Sequence, residues 1–202
     1  MASPSLPPVT SLPTASDDIL KSVLDTLFEP SSGLHAVAIP SIRDQLSKHG
    51  TDTPFTYTAL IQHVGSLLSS LASTTPEPSS TSTSSPLSRA TLHAILGSHP
   101  RLGAKKVESA QSRAEQAQLN AGAGVEEEAA QLAALNAEYE ARFPGLRYVT
   151  FVNGRGRPAI MRDMQERIVR GDIRAEEQEA IRAMVDIALD RARKLGAVDD
   201  EG

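Results

Sequence analysis

Apolar residues recur at three- and four-residue intervals along most of this chain, the period of helices that bury one face. After Ser16, a good N-cap, residues Ile19, Leu20, Val23, Leu24, Leu27 and Phe28 fall on one side of a helix that "EPSSG" stops. A second helix is predicted after Pro40, with Ser41 as its cap and its end at Gly50. Thr53-Pro54 opens a third, with proline at the first helical position and a stripe of Tyr57, Leu60, Ile61, Val64, Leu67, Leu68 and Leu71. A short fourth helix over residues 89–96 ends at Gly97 and is over by Pro100, whose ring disfavours the α region for His99. A fifth covers about 112–119, with room for an earlier start, and is closed by "NAGAG". The sixth, "VEEEAAQLAALNAEYEARF", sets Leu132, Leu135, Tyr139 and Phe143 along one side. A helix around 160–169 and a long last one over 175–195 complete the pattern. The last carries Ile181, Met184, Val185, Ala188, Leu189, Ala192 and Leu195 at close to ideal helical spacing.

Four stretches break the period. Residues 1–15 are rich in Pro, Ser and Thr and are predicted to be a disordered tail. Residues 72–88, "ASTTPEPSSTSTSSPLS", have no apolar pattern and read as a disordered insert within one domain. "LRYVTFVN", 146–153, is β-branched and aromatic but single, and one strand makes no sheet, so it reads as an extended segment packed across helices. Residues 197–202 form a short tail. The expected fold is all-α: a single-domain bundle of about seven or eight helices over residues 16–196, with one short extended segment.

The totals narrow the function. At 202 residues the chain has room for one ordinary core, and a net charge of −5 with both signs interspersed argues against a nucleic-acid surface. With no cysteine there is neither a thiolate nucleophile nor a thiolate metal site. No apolar run approaches the ~20 residues of a membrane span, and "MASPSLPPVTSLPTAS" lacks the charged and apolar regions of a secretory signal. The expected setting is the cytoplasm or, although "AVDDEG" is no peroxisomal tripeptide, the peroxisome. The expected partner is a small molecule or another protein.

Candidate chemistry centres on His99. The residue before a proline is held extended, so its ring projects from a fixed point. It also lies past a helix C-terminus, whose dipole favours the imidazolium that a general acid needs. A lone histidine serves equally as a cap or a surface residue, and both readings stand. Ser112-x-x-Glu115 is a capping-box pattern, and a polar helix N-terminus is also a place to bind an anion. Gln116 beside it offers an amide suited to carbonyl and ureido groups. Arg191 borders the apolar stripe of the last helix, where an arginine either snorkels to water or clamps a carboxylate. "NGRGR", 153–157, reads as a solvated loop. His35, His49, His63 and His93 lack metal-ligand spacing, so no metal is expected.

In order along the chain, "HPRLG", "SRAEQ", "ALNAEYEARF" and an apolar extended run before a helix carrying "MQERI" resemble one family. It is that of the 2-oxo-4-hydroxy-4-carboxy-5-ureidoimidazoline (OHCU) decarboxylases of urate breakdown. Its members usually show His-Pro-Asp-Leu-Ala-Gly, Ser-x-x-Glu-Gln and Leu-Asn-x-x-Tyr-x-x-Arg-Phe-Gly-Phe-Pro-Phe. The resemblance spans roughly residues 16–196. It departs at Arg101, which stands for aspartate, and at "FPGLRYVTF", which has one residue more than the family's run. The resemblance implies a helical bundle, often a homodimer, that works without metal or organic cofactor and yields (S)-allantoin and CO₂. It implies that His99 and Glu115 are catalytic, with Pro100 fixing the histidine. Ser112 and Gln116 would line the pocket, Tyr148, Val149, Thr150, Phe151 and Val152 would offer backbone groups to the ring, and Arg191 would hold a carboxylate or ureido end. Two other readings remain: a relative acting on another ureido or carboxy-imidazoline compound, and a helical binding module without catalysis.

Overall fold

The structure, a computed structural model, describes residues 5–48, 55–73, 85–103, 111–114 and 125–197, without the side chains of 85–88 and 125–127. Among these residues the fold is all-α. A 3-10 helix (Val9–Thr14) precedes α1 (Asp17–Leu27), α2 (Ser32–Lys48), α3 (Tyr57–Ser73) and α4 (Ser85–Leu96). After a helical turn at 111–114 come α5 (Val125–Arg142), α6 (Arg157–Arg170) and α7 (Ile173–Lys194). Two compact units are formed: one from residues 1–92 with 184–202, the other from 93–183, so that α4 and α7 contribute to both.

In the first unit α1 starts as its sequence predicts. The Ser16 side chain accepts the Ile19 N–H, and Asp17 and Asp18 place negative charge at the positive end of the helix dipole. Leu20, Leu24, Leu27 and Phe28 are fully buried, whereas Ile19 is 44% exposed. The boundary at Pro40 is corrected: α2 starts at Ser32 and runs through the proline, so Ser41 lies inside the helix rather than capping it. Leu34, Ala38, Ile39, Ile42 and Leu46 are all buried on this helix. Each buried Leu or Ile contributes about 1.5–3 kcal/mol, which together exceeds the ~3 kcal/mol cost of an interior proline. The start of α3 shifts too. The helix opens at Tyr57 with the Thr56 hydroxyl accepting from Ala59 N–H at 3.0 Å. Val185 Cγ2 lies 2.6 Å from where a Cβ on Gly65 would sit, so glycine permits that close approach of α3 and α7.

The N-terminal tail is also corrected over the residues described. Leu12 is fully buried, and the Tyr57 hydroxyl donates to Pro7 O at 2.8 Å. Proline at 8 and 13 fixes φ in advance, which lowers the entropy lost on ordering so short a helix. The predicted insert is shorter than its composition suggests: α3 extends to Ser73 and α4 begins at Ser85, leaving 74–84 outside the described residues.

In the second unit α5 buries the predicted side: Leu132, Leu135, Tyr139 and Phe143 are all buried. Residues 146–152 lie in neither helix nor turn, and no strand occurs among the described residues. The Tyr139 ring lies edge-on to Tyr148, with centroids 5.5 Å apart, and tilted against Phe143 at 5.0 Å. The loop reading of 153–157 holds for its exposed residues but not for Arg157, which is buried at the first position of α6 and lies 3.6 Å from Glu128.

Candidate functional site

His99 follows α4 by three residues, at a bend in the backbone, and is 5% exposed. The end of α4 is closed by Gly97 N–H donating to His93 O at 2.8 Å and Ser98 N–H donating to Ile95 O at 3.0 Å. Beyond the histidine the loop is tied to α5. Arg101 makes a two-point pair with Glu140, Nε to Oε1 and Nη2 to Oε2, each at 2.5 Å. Asn136 Nδ2 donates to Leu102 O at 3.0 Å and to Leu132 O at 2.9 Å. At Gly103, φ is +79°, and a Cβ there would lie 2.7 Å from Leu132 Cδ2, so both the turn and the fit against α5 require glycine. Hydrogen bonding from Arg101 holds the Glu140 carboxyl below the ordinary carboxylate range. An open cleft of ≈ 320 Å³ lies here, lined by Arg101, Leu102, Gly103, Asn136 and Glu140 with α5 alanines.

The extended run is fixed from the other side. Arg167, buried on α6, sits with its guanidinium carbon 5.0 Å from the centre of the Tyr148 ring and donates to Val149 O at 3.3 Å. The Tyr148 hydroxyl donates to Asp163, and burial first, then that carboxylate, push its pKa upward. Arg155 donates to Thr150 Oγ1 at 2.5 Å, Phe151 O at 2.6 Å and Val152 O at 3.4 Å. The backbone expected to face a ligand is thus held by two arginines. This run also reaches the histidine loop: Arg147 Nη1 donates to His99 O at 3.0 Å.

Ser112 is 3% exposed, and its place corrects the capping box. Gln111 before it is already helical, so Ser112 lies within the helix and not at its cap. Glu115 and Gln116 lie outside the described residues. Arg191 belongs to the other unit and is 2% exposed there. Its guanidinium reaches Glu29 Oε1 at 2.8 Å, Phe28 O at 2.9 Å and Leu27 O at 3.4 Å, collecting the carbonyls left at the end of α1. The remaining described histidines pair locally: His35 with Asp25, His63 with Ser41 and His93 with Glu177. Among the described residues no three histidine or acidic side chains could hold a metal ion together.

Against known proteins, the model of the OHCU decarboxylase family matches residues 13–193, across both compact units. The chain belongs to the OHCU decarboxylase family. A crystal structure of (S)-allantoin synthase is similar, with a TM-score of 0.55 at 16% sequence identity, covering 96% of this chain and 55% of that one. That likeness bears on the fold, and the chain spans about half the length of that protein. No curated protein sequence matches.

As an OHCU decarboxylase family member, the chain accounts for its own departure at Arg101. The guanidinium that replaces the usual aspartate is bound by Glu140, one turn beyond Asn136 on α5. Sequence reasoning missed Asn136, Glu140, Arg147 and Arg167 as parts of the site. Arg147 carried the clearest signal, a lone cation inside an apolar extended run. No helix of the described residues is long and apolar enough to cross a membrane.

Proposed function

We propose that this protein decarboxylates OHCU to (S)-allantoin and CO₂, with His99 as the proton donor. The observation that carries the reading is a buried histidine before a proline, its carbonyl clamped, within the residues that the family model matches. The bond from the ring carbon to the carboxylate breaks, CO₂ leaves, and the electron pair delocalises within the imidazoline ring. Proton transfer from His99 to one face of that carbon completes the step and sets its chirality. Burial favours this chemistry, because a donor shielded from water competes with solvent for protonation. Glu115, in the part assigned by the family resemblance, would orient the imidazole, with Ser112, Gln116 and the 148–152 backbone around the substrate. The pairing of Arg101 with Glu140 gives that departure a structural role in the loop, and a relative acting on another ureido or carboxy-imidazoline compound is the alternative the same assay addresses.

The proposed product is chiral, so circular dichroism of a reaction started with freshly generated OHCU tests the proposal directly. Parent protein should speed the appearance of optically active allantoin, and His99→Ala should lose ~10²-fold or more in rate with a cooperative melt retained. Parental turnover by the alanine variant would overturn the assignment, and no acceleration by the parent would favour the binding module.

A further inference from the structure

The peptide between His99 and Pro100 has a single handle. Proline has no N–H, so the only group through which a hydrogen bond can hold that peptide plane is the His99 carbonyl. Arg147 donates to it at 3.0 Å. The orientation of this plane defines ψ of His99, and with it the direction in which the imidazole leaves the backbone. Downstream, the loop is already fixed by Arg101–Glu140 and Asn136–Leu102 to α5, but those contacts begin two residues past the histidine. Arg147 makes a contact at the His99 carbonyl itself, and it comes from a different element.

That element is rigid where it needs to be. Arg147 is flanked by Leu146 and Tyr148, 2% and 3% exposed. The Tyr148 ring is held between Tyr139 and Arg167, and its hydroxyl is bound by Asp163. An arginine stem anchored at such a base presents its guanidinium in one place. Two of the departures from the usual family pattern therefore act on one loop: Arg101 secures its far side to Glu140, and Arg147, from the 146–152 run, its near side at His99.

We propose that Arg147 is a positioning residue that sets the direction of the His99 ring, resting on the reading of His99 as the proton donor. It touches no substrate in this role and acts through the His99 carbonyl. A displaced ring costs turnover and stereochemical fidelity more than substrate affinity. A residue that merely satisfied a carbonyl would change stability and leave catalysis alone.

The test is Arg147→Met, which keeps most of the stem and removes the donors. With the parent active on OHCU, kcat should fall ~10-fold or more, since small misplacement of a catalytic group is costly. KM should stay within about twofold, the enantiomeric excess of allantoin should drop, and Arg147→Lys should recover part of the loss. Parental kcat and enantiomeric excess in the methionine variant would overturn the proposal. Amide hydrogen exchange at residues 99 and 101–103 reads the clamp without activity. Faster exchange there in Arg147→Met supports it even if the parent proves inactive on OHCU, an outcome that removes the proposed function and not the clamp. Unchanged exchange overturns it. If Arg147→Met fails to melt cooperatively, Arg147→Leu, which also lacks donors, takes its place with the same two outcomes.

Discussion

The hydroxyl of Tyr139 donates to Glu176 Oε1 at 2.5 Å, and neither residue has any exposure to solvent. The carboxylate also faces Arg167 at 3.3 Å and Arg170 at 3.1 Å, so a buried anion is offset by two cations and a phenol. Arg167 in turn reaches Asp163 at 3.0 Å and Glu179 at 2.9 Å. This network joins α5, α6 and α7 beneath Tyr148, and it holds the extended run that reaches His99.

Removing one member should expose the cost of the others. Tyr139→Phe leaves the acid short of one charge-assisted hydrogen bond, an expected loss of about 2 kcal/mol. Glu176→Gln leaves Arg167 facing a neutral amide in a buried place and should cost about 3 kcal/mol. Urea melts of both variants check this, and a double variant should lose less than the sum, because the two share one interaction. Additive losses would show that the pair is not coupled.

Alkaline pH should unfold the protein through its tyrosines. The chain has three, and burial raises the pKa of each above the ordinary 10.0: Tyr57 to about 12, with Tyr139 and Tyr148 also pushed up. A raised folded pKa means that the native state keeps protons the unfolded chain has lost. Stability from these groups is intact below pH 10 and falls as pH rises above it. Near-ultraviolet absorbance should show little phenolate in native protein just above pH 10, then all three appearing together with loss of the helical signal. Smooth titration at pH 10 in folded protein would contradict the burial.

Glu29 and Arg191 are 4% and 2% exposed, and the pair makes a separate test of what the arginine does. Leaving either charge alone in that place should cost about 3 kcal/mol or more. Arg191→Ala and Glu29→Gln should therefore lower the melting temperature together. A rise in KM for Arg191→Lys with its melt untouched would instead give the arginine the anion-clamping role that the family resemblance implies.

The helices were legible wherever one apolar face ran unbroken, as in α1, α5 and α7. Pro40 misled because local propensity argued for a boundary while the burial of Leu34 through Leu46 argued for continuity, and packing prevailed. The N-terminal segment looked featureless because only Leu12 and the small Ala15 are buried among its described residues, and a period cannot be read from two positions. His99 was legible from its proline, which constrains the backbone locally. Its support was not: Glu140 reads as one more surface acid on a helix, and only the fold brings it to Arg101, 39 positions earlier. Arg191 shows the opposite limit. Helical phase placed it correctly at the buried stripe, but phase says nothing about whether the acceptor is a ligand or Glu29.

Ser112 bears on the last prediction. A capping box needs its serine to precede the helix, so that the hydroxyl meets an orphan N–H and the acid three positions later reaches back. With Gln111 helical, Ser112 cannot serve as that cap, and its 3% exposure puts the hydroxyl inside the protein. The capping-box reading is thereby corrected at Ser112, and the catalytic role that the family resemblance implies for Glu115 stands as a separate proposal. Glu115→Gln preserves size and hydrogen-bonding reach and removes the charge. For an acid that orients and charges His99, turnover of OHCU should drop ~10-fold or more while stability changes by less than about 1 kcal/mol. For an acid that only supports a helix end, turnover should stay at the parental level. Single-turnover rates and urea melts of the variant beside the parent decide between them, and Ser112→Ala extends the comparison. A buried hydroxyl that contacts substrate should raise KM when removed, whereas a helix cap should lower only the melting point.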